Sequence, residues 1–120
     1  MLRSIGLAGF GLAILSAPPA QALEASYCGG RIVAERFATR VVPGPGGRAS
    51  YSVLLRNTQE RSQDFRLVVT GSFIGRPAPA TQTLLAGGSR TVALGYTPNM
   101  PGVAPMRGDQ IAQMTRLACL

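Results

Sequence analysis

Apolar residues recur at every second position in three separate stretches of this 120-residue chain. The stretches are residues 50–57 (SYSVLLRN), 64–73 (DFRLVVTGSF) and 90–96 (RTVALGY). A period of two places alternate side chains on one face of an extended strand, and β-branched and aromatic residues favour strands. Each stretch is also too short for a convincing helix. The pattern predicts half-buried antiparallel strands in which Val53 and Leu67 face a core while Ser52 and Arg66 face solvent.

Two further stretches favour strands. Residues 31–42 are rich in β-branched side chains but lose their alternation near Glu35, as a bulge or an edge strand would. Residues 81–85 lead through a glycine-containing turn into 90–96, which predicts a hairpin. The alternation within 90–96 also assigns Tyr96 to the core.

The segment 110–119 (QIAQMTRLAC) is ambiguous. Its local propensity favours a helix with Asp109 as N-cap and Ile111 on the buried face. A strand would instead bring Cys119 to the end of the domain that holds Cys28, because an even number of strands has reversed the chain by then. We favour the strand on that ground, with the helix as the alternative. The expected fold is all-β, a small antiparallel sandwich of about six strands.

Residues 1–22 have the order of a secretory signal. One basic residue precedes an uncharged apolar run at 5–16, and Ala20-Gln21-Ala22 matches the small-x-small cleavage pattern. The run is shorter than the roughly 20 apolar residues that a membrane-spanning helix needs. We therefore expect cleavage near Ala22, a single domain over 23–120, and a periplasmic or secreted protein.

The two cysteines, Cys28 and Cys119, lie near opposite ends of that expected domain. An exported protein meets oxidising conditions, in which a disulfide persists. We therefore expect one bridge between them, which would close nearly the whole domain. A zinc site needs about four ligands, and the chain has no histidine. We expect neither a metal nor a cofactor.

Three of these stretches resemble a pattern found in bacterial immunoglobulin-like accessory modules of surface and periplasmic proteins. The matching stretches are Tyr51–Asn57 (YSVLLRN), Phe65–Val69 (FRLVV) and Leu85–Leu94 (LAGGSRTVAL). The resemblance implies an immunoglobulin-like sandwich in which Asn57 ends a strand and Gly88 makes a hairpin. It covers residues 51–96 only, and the chain departs from an immunoglobulin domain in its end-to-end cysteines and its lack of tryptophan.

Arginine is the one surplus that suggests a binding surface. All twelve basic residues are arginines, against five acidic residues, and the formal charge is +7. Such a charge favours association with anionic partners. Arg56, Arg66 and Arg90 are expected on the outer faces of their strands and are the candidate partner-facing residues. Nucleic acid is not an expected partner, because stacking aromatics are few.

Catalytic chemistry finds little support in the composition. Histidine, the most frequent acid–base group, is absent, and a serine or cysteine nucleophile would have no base except a carboxylate. We therefore expect a non-enzymatic interaction or assembly module of the cell envelope, chaperone-like or accessory. It would contact an envelope protein through a sheet edge or through that protein's acidic surface. The alternative is binding of an anionic envelope polymer or lipid through a basic arginine face, and the third is an enzyme of unrecognised type.

Overall fold

A computed structural model describes residues 25–120, so the expected signal peptide at 1–22 lies outside the described residues. The described part contains seven strands, one α-helix and a short 3-10 turn at Cys28–Gly30. The elements are β1 (Ala25–Tyr27), β2 (Ile32–Val42), β3 (Arg48–Asn57), β4 (Gln63–Val69), β5 (Thr81–Leu84), β6 (Ser89–Pro98), α1 (Gly108–Gln113) and β7 (Thr115–Cys119).

The strands form two antiparallel sheets that face each other. One sheet has four strands in the order β1-β2-β3-β6, and the other has three in the order β5-β4-β7. Buried side chains from both sheets join in one apolar core. The expected all-β antiparallel sandwich is therefore confirmed, with one strand more than the six expected.

The core follows the alternation of β3 and β4. Val53 and Leu67 are fully buried, whereas Ser52 is only half-buried and Arg66 is exposed. The predicted register of both strands is therefore confirmed. The additional strand, β1, has only three residues, too few for a periodic signal.

Two β-bulges interrupt the alternation, and only one of them was predicted. The bulge in β2 falls between Ala34 and Arg36, where the sequence pattern slips. In the pairing of β3 with β6 the register shifts between Ala93 and Gly95, so Leu94 is extra, and Gly95 has a φ of 118°, which suits glycine. The extra residue turns Tyr96 to the outer face, opposite Ser50, so its expected place in the core is wrong.

Two expected connections are also corrected. The turn between β5 and β6 contains Gly88 as expected, but the two strands belong to different sheets. The expected hairpin is therefore wrong, and this turn carries the chain from one sheet to the other. Strand β4 ends at Val69 and not at Phe73, although Phe73 is still buried against the core.

The C-terminal segment is neither a continuous strand nor a continuous helix. Gly108–Gln113 is helical and Thr115–Cys119 is a strand, so the expectation of one strand over 110–119 is wrong for its first half. Arg107, not Asp109, is the N-cap. The strand places Cys119 beside the 3-10 turn, and the Cys28–Cys119 disulfide is confirmed, with Cα atoms 6.1 Å apart.

Candidate interaction edge

Edge strands are the natural contact sites of a sandwich, because they carry unpaired backbone N–H and C=O groups. β1 and β6 lie at the edges of the four-stranded sheet, and β5 and β7 at those of the three-stranded sheet. β6 is the longest of the four, with ten residues, whereas β1 has three, β5 four and β7 five. Of these four edge strands, β6 therefore offers the longest backbone edge to another chain.

The hydrogen bonds of β6 show which of its groups face outward. The N–H of Asn57 donates to the carbonyl of Gly88 at 2.9 Å. Ladder bonds alternate along an antiparallel pair, so the backbone groups of Ser89, Thr91 and Ala93 point away from β3. These three residues define what we call the open edge of β6.

A passing segment of the chain already pairs with one residue on this side of β6. Ile74 and Tyr96 exchange both of their backbone hydrogen bonds, each at 2.9 Å, as an isolated antiparallel bridge. The chain passes so close here that a Cβ on Gly95 would meet the Ile74 carbonyl oxygen at 2.7 Å. Among residues 25–120, no other strand pairing or bridge involves β6 on this side.

A depression lies at the start of the open edge, where the chain crosses between the sheets. Its volume is about 250 Å³. It is lined by Thr83, Leu84, Leu85, Gly88, Ser89 and Arg90. Leu85 is 71% exposed, the highest value among the exposed large apolar residues of 25–120, and Arg90 is also exposed. The depression therefore combines an apolar side chain and a cation beside unpaired backbone groups.

Asn57 holds this turn in place from inside the protein. The side chain is fully buried, and its Nδ2 donates to the carbonyls of Arg61, Leu84 and Leu85 at 2.7, 3.2 and 3.1 Å. Its Oδ1 accepts the backbone N–H of Gln59 at 3.0 Å. The carbonyls belong to the turn between β3 and β4 and to the turn between β5 and β6. Because one amide binds both turns, Asn57 fixes the position of Leu85 relative to β3. Asn57 is also the last residue of β3, as the resemblance implied.

The three candidate arginines do not come together. Arg56 lies on the outer face of the four-stranded sheet, where its Nε donates to Glu35 Oε2 at 2.6 Å. Arg66 lies on the outer face of the opposite sheet. Arg90 is paired with Leu55 and so has the register of the core face, which makes its expected outer placement wrong. It remains exposed because it lies at the rim of the sandwich.

A different set of arginines shares one face, and sequence reasoning missed it. Arg36, Arg40, Arg48 and Arg56 all lie on the outer face of the four-stranded sheet, opposite Leu54, Ser50, Val42 and Val33 respectively. Val33 lies on this face before the bulge in β2, and the bulge places the even-numbered residues from Arg36 onward there. All four arginines have even numbers, but this pattern predicts a shared face only when the position of the bulge is known.

The opposite side of the sandwich is closed by the disulfide and by Tyr27. The Tyr27 ring packs against the core, and its hydroxyl is buried with no hydrogen-bond partner among residues 25–120. This burial raises the pKa of Tyr27, and the positive charge of Arg116 opposes the rise. A phenol in this setting is held neutral.

A larger polar depression of about 490 Å³ lies near the disulfide end of the sandwich, and Arg31, Arg61 and Asp64 contribute to its lining. The Asp64 carboxylate accepts the Thr83 hydroxyl at 2.7 Å, so it is engaged in a cross-strand contact. No group of three or more histidine, cysteine or acidic side chains within residues 25–120 could hold a metal ion. Nor does this part of the chain contain a helix long and apolar enough to cross a membrane.

Comparison of the chain with protein-family models, with curated proteins and with solved structures finds no match. The class of protein therefore rests on the fold and on the surfaces described above. These define a disulfide-closed all-β sandwich with an open strand edge.

Proposed function

We propose that this protein is an exported, non-enzymatic interaction module that binds an extended segment of a partner protein along the open edge of β6. The observation that carries the proposal is the bridge between Ile74 and Tyr96, because the same side of the same strand already pairs with a passing backbone. A partner segment would continue this pairing towards Ser89 by β-strand addition. The module would act as an assembly chaperone or an accessory domain.

The depression beside the open edge indicates the chemistry of the partner. An added strand presents alternate side chains to its two faces. On the side of the depression, the exposed Leu85 favours an apolar residue and the Arg90 guanidinium favours a carboxylate. The opposite side presents the small side chains of Ser89, Thr91 and Ala93, which allow close approach. We propose a partner segment with one acidic and one apolar residue on the same face.

An immunoglobulin-like topology is part of the proposal. The order β2-β3-β6 and the pair β4-β7 match the A-B-E and C-F neighbours of an immunoglobulin sandwich. The resemblance of residues 51–96 to bacterial immunoglobulin-like modules supports the same assignment. β5 lies beside β4, in the sheet opposite β6, and this leaves the edge of β6 open.

Export is proposed from the order of residues 1–22, and a disulfide in the described domain is consistent with it. The protein recovered from the cell envelope should begin at Leu23 or within a few residues of it. N-terminal sequencing of that fraction is the test. An intact Met1 on protein from the cytoplasmic fraction would contradict export.

The edge itself is tested with Thr91→Pro and Thr91→Ala. Proline removes the N–H of residue 91, which faces the open edge and not β3, so the sheet should tolerate it. Alanine removes the same side chain but keeps the N–H. We expect the tagged alanine variant, expressed in the envelope, to retain its bound proteins and the proline variant to lose them.

Hydrogen exchange separates strand addition from other modes of binding. The amides of residues 91 and 93 should exchange freely in the isolated protein and become protected in the complex.

Both Thr91 variants must first show the thermal transition of the parent protein. Equal capture by the two variants, or protection confined to β7, would overturn the proposal for β6.

A further inference from the structure

The outer face of the four-stranded sheet carries a dense group of arginines that strand addition at β6 does not use. Arg36, Arg40 and Arg48 are exposed, and Arg56 lies on the same face. Arg48 lies opposite Val42, two residues from the position opposite Arg40, so the two are diagonal neighbours about 7 to 8 Å apart. Arg36 and Arg56 have the same diagonal relation. We call these four residues the arginine face.

The arginine face has little negative charge to compensate it. The described acidic residues are Glu35, Glu60, Asp64 and Asp109, and the ion pair of Glu35 with Arg56 brings only this one onto the face. Asp64 lies in the opposite sheet and Asp109 in α1. Arg36, Arg40 and Arg48 therefore present their charge outward from one face of the sheet, which suits an extended anionic surface.

Apolar and aromatic groups lie among these arginines. Val42 lies opposite Arg48 and is 48% exposed, and Leu54 lies half-buried opposite Arg36. The Arg48 guanidinium lies over the Tyr96 ring, 4.5 Å from its centroid. Charge alone would serve a soluble polyanion. A face that mixes arginine, tyrosine and valine has the composition of proteins that rest at a lipid–water interface.

We propose that the arginine face binds the phosphate headgroups of an anionic lipid bilayer, with the sheet lying flat on the membrane. Arginine suits this contact because its planar guanidinium donates two parallel hydrogen bonds to a phosphate. Val42 and Tyr96 would contact the headgroup–acyl boundary. The open edge of β6 lies at the side of the sheet and remains accessible to a partner.

The test compares two triple variants of equal charge. The face variant is Arg36→Gln, Arg40→Gln and Arg48→Gln. The matched variant is Arg61→Gln, Arg66→Gln and Arg107→Gln. The side chains of these arginines donate hydrogen bonds only to side-chain oxygens, at 3.2 to 3.4 Å, so their loss should leave the fold intact. Circular dichroism and thermal transitions check both.

Partition is measured by co-sedimentation with vesicles of phosphatidylcholine containing about 30 per cent phosphatidylglycerol, at about 0.1 M salt. The face variant should partition about a hundredfold more weakly than the parent, since three arginines are lost from the contact. The matched variant should stay within about threefold of the parent, because its charges are distant from the bilayer. Pure phosphatidylcholine should bind none of the three.

Two results would overturn the proposal. An equal loss in the two variants would show that binding follows net charge and not this face. Binding of soluble heparin through the arginine face, without binding to the anionic vesicles, would assign the face to a soluble polyanion. Neither result bears on strand addition, whose variants at Thr91 leave the arginines unchanged.

Discussion

Asn57→Ala is the substitution whose cost the structure defines most closely. The change deletes the donor to three carbonyls and the acceptor of the Gln59 N–H. The contact with Leu84 is buried, while those with Arg61 and Leu85 are partly open to water. A buried group left without a partner costs about 1 to 3 kcal/mol, and each lost exposed bond about 1 kcal/mol or less. We expect a loss of about 3 kcal/mol in the free energy of unfolding.

Urea denaturation of the disulfide-bonded protein measures this loss. With a slope of about 1.5 kcal/mol/M, the midpoint should fall by about 2 M. Asn99→Ala is the matched control, since Asn99 is exposed and its Nδ2 makes one side-chain hydrogen bond, to the Val42 carbonyl at 2.6 Å. That change should cost about 1 kcal/mol or less. Equal costs at the two positions would refute the inference that burial of the Asn57 network stabilises the turns.

Three further results are expected. Leu67→Ala should lower the free energy of unfolding by about 2 to 5 kcal/mol by leaving a cavity, whereas Arg66→Ala should change it by no more than about 0.5 kcal/mol. Urea midpoints measure both, and a larger loss for Arg66→Ala would show that the assigned register is wrong by one residue. Cys28→Ser opens a loop with a sequence separation of 91 and should cost about 2 to 5 kcal/mol, visible as a lower melting temperature. Because the pKa of Tyr27 is raised, its contribution to stability is complete below about pH 10 and lost as the pH rises through the higher folded value. Tyr27→Phe should remove this loss of stability at alkaline pH, measured as the free energy of unfolding against pH. The same pH dependence in the variant and the parent would contradict the role of Tyr27.

The alternation of residues is a sufficient guide to this fold wherever a strand is regular. In β3 and β4 each core residue could be assigned from the sequence, because one face is buried along the whole strand. Tyr96 could not, since the extra residue of β6, Leu94, reverses every face beyond it. The arginine face was missed for the same reason, because the bulge before Arg36 had to be located to within one residue.

The prediction of one strand over 110–119 was wrong for a different reason. The disulfide requires only that Cys119 end near Cys28, and the five residues of β7 achieve this. The chain must first cross from β6 to the opposite sheet, and α1 makes that crossing with Ile111 buried in the core. Local propensity and the cysteine constraint each described one half of the segment. The open edge of β6 was equally beyond the sequence, since the turn at Gly88 is compatible with either sheet.

The position of the disulfide also decides how the domain would respond to tension. A force that pulls on Cys28 and Cys119 passes through the covalent bridge and bypasses the strands from β2 to β7, which lie inside the loop; only the short β1 precedes it. The enclosed segment could unfold without lengthening the molecule, although its extended length would be roughly 300 Å. With the bridge intact, the domain is therefore a nearly inextensible link. With the bridge reduced, the same pull would load the hydrogen bonds of β2 and β7 first.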